Sequence, residues 1–169
     1  MIIVVEIIER KIFMKTLIIY CSEYKKNTEK IANIFKEKAE CDLVNIKKFK
    51  NTNLENYDLI GFGSGVYVES LSPKLFKIVE KLDLKDKNVF VFSTSGVGMK
   101  YYNKKIIKAL ISKGAINKGS FACKGSFVAK EFSNNKVFDI ISKLTKGHPN
   151  NKDFKKAEKF FVNMLKQLN

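Results

Sequence analysis

The sequence predicts a doubly wound α/β domain, a three-layer sandwich built on a five-stranded parallel sheet in the order 2-1-3-4-5. Three observations carry this prediction. Short continuous apolar runs recur along the chain, as strands buried on both faces require. Longer segments between them place apolar residues at helical spacing. The chain has 169 residues, 45% of them hydrophobic, with only 2 Pro and no repeat or low-complexity linker, so it can bury one sizeable core and offers no start for a second domain.

The elements follow in order. Residues 1–8 (MIIVVEII) are apolar but interrupted by Glu6, too short to span a bilayer. They lack the basic stretch and small-residue cleavage site of a signal peptide, which points to a cytoplasmic protein. Met14 directly precedes a strand-like run. Residues 1–13 are therefore expected to be an N-terminal extension, as from an upstream start codon, and residues 14–169 the domain. An extra strand or a partner-binding tail is the rival reading of the extension.

The first strand is KTLIIYC, residues 15–21, and residues 27–39 follow as a helix with Ile31, Ile34, Phe35 and Ala39 on one face. Residues 41–46 form a short second strand and YDLIGF, residues 57–62, a third. Residues 72–82 place Leu75, Phe76, Val79 and Leu82 together, with Pro73 at a fitting first helical position. NVFVFS, residues 88–93, is the fourth strand. Residues 101–113 are amphipathic through Ile106, Ile107, Leu110 and Ile111, and Gly114 is a natural stop. Residues 120–129 read as a weaker fifth strand broken by Gly125, and residues 153–168 as a closing helix. Right-handed crossovers then place a crevice at the carboxyl ends of strands one and three.

Three loops reach that crevice. The first, Ser22 to Thr28, offers hydroxyls, the Asn27 amide and the cations Lys25 and Lys26. Unpaired N–H groups and the dipole at the start of the following helix favour a bound phosphate there, although a helix merely capped by Asn27 or Thr28 fits the same residues. The second loop, Gly61-Phe62-Gly63-Ser64-Gly65-Val66-Tyr67, has alternate glycines that allow positive φ and close approach to a flat ligand, and Tyr67 to stack on it. The third, Thr94-Ser95-Gly96-Val97-Gly98, offers small hydroxyls and backbone amides to the polar edge of a ring, with Tyr101 or Tyr102 to close the other face.

Several function classes are excluded. No G-x-G-x-x-G and no G-x-x-x-x-G-K-[ST] is present, so dinucleotide and Walker fingerprints are absent. Three cysteines without a C-x-x-C fit a reducing compartment better than a disulfide framework, and a lone His148 argues against a zinc site. The net charge of +15 comes from lysines scattered along the chain rather than gathered in one block, as solvated faces are, which argues against nucleic-acid binding as the main function. Cys123 is expected to be a buried structural thiol, and His148 to be structural within its turn.

The motifs Ser22-x-x-x-x-Asn27-Thr28, Gly61-Phe62-Gly63-Ser64-Gly65, Phe92-Ser93-Thr94-Ser95-Gly96 and Lys146-Gly147-His148-Pro149-Asn150 resemble those of the flavodoxin family. The resemblance runs from Met14 to the C-terminus. It implies a flavodoxin-like fold, an FMN cofactor and electron transfer, with no covalent catalytic residue and no metal. On it, Ser22, Lys25, Lys26, Asn27 and Thr28 would hold the FMN phosphate. Ser64, Gly65, Val66 and Tyr67, with Thr94, Ser95, Gly96, Val97, Gly98 and Tyr102, would line the isoalloxazine. The chain departs from the family pattern in three ways: Tyr24, Lys25 and Lys26 occupy the phosphate loop, Trp is absent, and the charge is basic rather than acidic.

The basic charge predicts an acidic redox partner such as a ferredoxin-like donor, with a homodimer left open. An FMN-dependent NAD(P)H or quinone-type oxidoreductase is the alternative function. A response-regulator domain on the same fold fails, because Asp58 lies at the beginning of strand three rather than its end and strand one closes on Cys21-Ser22-Glu23.

Overall fold

The apolar runs assemble into one twisted sheet. β1 (Thr16–Cys21), β2 (Cys41–Asn45), β3 (Leu59–Tyr67), β5 (Asn88–Ser95) and β6 (Ile116–Lys124) pair in parallel in the order β2-β1-β3-β5-β6. A two-residue strand, β4 (Ser70–Leu71), pairs antiparallel with the end of β3. Apart from β4, this is the predicted 2-1-3-4-5 order. The computed structural model describes residues 14–50 and 52–168, so the predicted extension 1–13 lies outside the described residues.

Among the described residues five α-helices flank the sheet: α1 (Asn27–Lys36), α2 (Pro73–Lys81), α3 (Lys104–Ser112), α4 (Lys136–Leu144) and α5 (Asn151–Leu168). Alternate residues of each buried strand point to opposite faces, and the core divides accordingly. Leu17, Ile19, Ile60, Phe62, Val89 and Val91 pack against Leu75 and Val79 of α2 and Ile106 and Leu110 of α3. Ile18, Tyr20, Leu59, Phe90, Phe92 and Phe121 pack against Ile31 and Phe35 of α1 and Ala157 and Phe161 of α5. Phe35 is the hub of the second core, with its ring centroid 5.1 Å from that of Phe92 and 4.8 Å from that of Phe161. Among the described residues, no helix is long and apolar enough to cross a membrane.

Four expectations change. β3 runs on to Tyr67, so Gly63 to Tyr67 are strand rather than loop, and Val68 and Glu69 turn into β4 with φ of 46° and 61°. Gly61 and Gly63 are buried within the strand. They sit opposite Phe90 and Phe92 on β5, and a Cβ at either would lie 2.4 or 2.1 Å from those rings. The glycines exist to seat two phenylalanines in the core. β6 starts at Ile116 and stops at Lys124. The apolar residues beyond it, Phe127 and Val128, are not strand, and α4 was not foreseen.

Candidate functional site

The carboxyl ends of β1, β3 and β5 open into a cleft of about 630 Å³, within the size range of cofactor sites. The first loop is tied there to the third and to the segment after β6. Thr28 Oγ1 at the start of α1 and Thr94 Oγ1 at the end of β5 lie 2.9 Å apart and share a hydrogen bond. Asn27 Nδ2 donates to Ser126 O at 2.8 Å. Ser22 Oγ accepts from Glu29 N at 3.2 Å.

The start of α1 is unusual in two ways. Lys25 and Lys26 precede it with φ of 47° and 54°, and the side chain of Lys26, its N-cap residue, makes no capping bond; of the first-turn N–H groups, that of Glu29 is taken by Ser22 Oγ. Its positive end therefore remains available to an anion. Asn27 is buried, and its Oδ1 has no hydrogen-bond partner among the described residues. A buried acceptor left bare costs ~1–3 kcal/mol, which a donor on a bound molecule would recover.

The structure brings most of the predicted residues together. Ser22, Asn27, Thr28, Gly65, Val66, Tyr67, Thr94, Ser95, Gly96, Val97 and Tyr102 all line the cleft. Four others stand behind or beside it. Ser64 is fully buried; its Oγ donates to Gly65 O at 2.6 Å and accepts from Ser72 N at 3.0 Å, fixing the end of β3. Gly98, at φ 68°, donates its N–H to Ser95 Oγ at 2.8 Å and closes a turn against the Cys123 backbone. Lys25 and Lys26 are exposed outside the lining, with Lys26 Nζ 3.7 Å from Glu29.

Glu23, Tyr24, Val68 and Glu69 also line the cleft beyond the predicted set, and six further lining residues lie outside all three loops: Gly125, Ser126, Phe127, Phe132, Phe138 and Ile141. They form a fourth wall built by the segment between β6 and α5. Phe127 packs edge-on against Phe132 and Phe138 at 5.9 and 6.3 Å between centroids. Tyr24 ties this wall to the first loop, its hydroxyl accepting from Val128 N at 3.1 Å and its ring meeting Phe132 edge-on. The signal for it in the sequence is the spacing of Val137, Ile140, Ile141 and Leu144.

Cys123 and His148 stand outside the cleft lining. Burial, with Asp153 nearby, pushes the Cys123 thiol well up, so it stays protonated. His148 bonds through Nδ1 to Asp153 Oδ2, and its carbonyl accepts from Ser126 N at 2.9 Å. On the facing wall, burial raises the Tyr67 hydroxyl to about 12, so it is neutral and a donor at ordinary pH.

A family model described as a flavodoxin domain matches residues 17–152. An uncharacterized protein of Methanocaldococcus jannaschii is 39% identical over 155 residues, covering 90% of this chain and 99% of that protein. Among solved structures, a flavodoxin from the domain Archaea superposes with a TM-score of 0.66 at 12% identity, covering 92% of this chain and 99% of the other. A flavoprotein of Lactobacillus acidophilus NCFM, solved in complex with FMN, gives a TM-score of 0.54 at 22% identity over 63% of this chain and 91% of its own.

Proposed function

The chain belongs to the flavodoxin family, and from that premise we propose that it binds FMN in the cleft and carries electrons between redox partners. One observation supports this reading above the others: the start of α1, whose N-cap residue supplies no side-chain cap, opens into the same cleft as aromatic side chains on two sides. An anionic group at one end and a flat ring at the other is the outline of FMN.

The residues present fit that group. The start of α1, with Ser22 and Thr28 beside it, would hold the phosphate, and Lys25 and Lys26 add positive field at the rim. The bare Asn27 Oδ1 suits a ribityl hydroxyl, which donates. Tyr67 and Tyr102 on one side and Phe127 on the other would flank the ring. When bound, FMN supplies one- and two-electron chemistry.

The protein's own part is to orient and to exclude water. Ser64 holds the Gly65 carbonyl through its hydroxyl, which fixes the backbone at the end of β3 where it lines the cleft. Phe127, Phe132 and Phe138 close the fourth side with apolar surface, which strengthens every polar contact inside. The buried, protonated Cys123 takes no part as a nucleophile.

The partner we propose is an acidic redox protein of the ferredoxin class. A protein of charge +15 repels a basic partner and steers an acidic one. Stopped-flow reduction by an acidic ferredoxin across a salt series tests this: the rate should fall as salt rises, because exposed charges are screened over about 10 Å at ~0.1 M. A flat or rising profile removes the steering argument. Steady turnover of NADH or NADPH with a quinone acceptor would assign an oxidoreductase instead.

A further inference from the structure

α4 carries an apolar face that it does not bury. Val137, Ile140 and Leu144, at i, i+3 and i+7, are 56%, 58% and 63% exposed, and no residue of the helix is buried. The other side of the helix is accounted for. Phe138 and Ile141 line the cleft, and Ser142 Oγ donates to Phe127 O at 3.0 Å. Polar residues at 137, 140 and 144 would serve folding equally well, because these positions touch solvent in the folded chain. Three large aliphatic side chains in one stripe beside a binding cleft mark a surface meant to be covered.

Charge decides what covers it. The segment 128–147 carries Lys130, Lys136, Lys143 and Lys146 against Glu131 and Asp139, on a chain of net charge +15. A second copy would bring a surface of the same sign to this face, whereas an acidic protein gains at long range and on contact. We propose that the outward face of α4 is the docking surface for an acidic electron-transfer protein, which seats an apolar patch on Val137, Ile140 and Leu144 and sets its carboxylates against the flanking lysines. α4 is also a wall of the cleft, so a partner seated on it stands next to whatever the cleft holds. The purpose of the surface rests on the FMN reading, but its occupancy does not.

The test is calorimetric titration of an acidic ferredoxin into the full chain loaded with FMN. Ile140→Asp and Leu144→Asp are compared with Ile111→Asp, which makes the same charge change at an exposed apolar position of α3. The proposal expects the two α4 variants to weaken binding about tenfold or more and the α3 control to change it by less than about threefold. FMN content and far-UV circular dichroism should be unchanged in all three. Equal effects from α3 and α4 variants, or none from either, overturn the surface. Absence of ferredoxin binding to the unaltered protein overturns the occupant, as does a wild-type dimer in sedimentation that Ile140→Asp dissociates. If FMN fails to bind while the ferredoxin still docks on α4, the cofactor reading falls and the docking surface stands.

Discussion

Thr28 and Thr94, 66 positions apart, are joined hydroxyl to hydroxyl at 2.9 Å in a buried contact between the start of α1 and the end of β5. The bond clamps the first and third loops at a fixed spacing. Thr28→Val keeps the shape and leaves the Thr94 hydroxyl bare, which should cost ~1–3 kcal/mol in urea denaturation. The double variant Thr28→Val/Thr94→Val should cost less than the sum of the singles, since it strands no polar group. Additive costs would show that the two hydroxyls do not depend on each other.

A second expectation concerns Gly63. An added Cβ would lie 2.1 Å from the Phe92 ring, and overpacking of that kind costs ~1–3 kcal/mol or more. Gly63→Ala should lower the urea midpoint, and Phe92→Leu in the same chain should restore part of the loss. If Gly63→Ala is neutral, the glycine serves the cleft rather than the core.

The pH profile follows from Cys41 and Tyr67. Burial raises the Cys41 thiol from 9.0 to about 12 and the Tyr67 hydroxyl from 10.0 to about 12. Between those limits the unfolded chain has lost protons that the folded chain keeps. Stability is therefore full below pH 9 and falls as pH rises towards 12. Urea midpoints measured from pH 7 to 11 should hold level and then decline, and a thiol reagent at pH 8 should leave Cys21, Cys41 and Cys123 unmodified until the chain unfolds. Rapid labelling of the folded protein would contradict the burial on which this rests.

The aromatic walls make a further prediction. Phe127→Ala removes the ring that faces the cleft from the fourth wall and should weaken FMN binding by ~1–3 kcal/mol with little loss of stability, because Phe127 belongs to neither main core. Fluorescence titration of the apoprotein checks this. An unchanged dissociation constant would place the ring elsewhere in the cleft.

Much of the fold is legible in the sequence because the strands of a covered parallel sheet must be apolar on both faces. KTLIIYC and NVFVFS have no other reading. The fourth wall is legible only in the spacing of Val137, Ile140, Ile141 and Leu144, and its neighbours obscure it. Phe127 and Val128 extend the apolar pattern of β6, so the run from 120 to 129 reads as strand, although backbone pairing ends at Lys124. The true start of β6 at Ile116 is hidden by Asn117, Lys118 and Gly119, which an edge strand tolerates on its half-exposed side. α4 is nine residues long and capped by Asn135, whose Oδ1 accepts from Val137 N at 2.9 Å. Its apolar residues answer to the cleft and to solvent rather than to a core, so no packing partner announces it. The glycines of β3 misled in the opposite sense. Their alternation marks room for Phe90 and Phe92 and not for a ligand, a distinction only the register of β3 on β5 reveals.

The central claim is that α1 and the aromatic walls hold FMN, and titration of the apoprotein with three flavins tests it most directly. FMN should bind one to one. Riboflavin, which lacks the phosphate, should bind about a hundredfold or more weaker, because the start of α1 then has no anion to hold. FAD should not compete with FMN, since no second nucleotide motif is present. Failure to take up FMN, or equal affinity for FMN and riboflavin, would contradict the account.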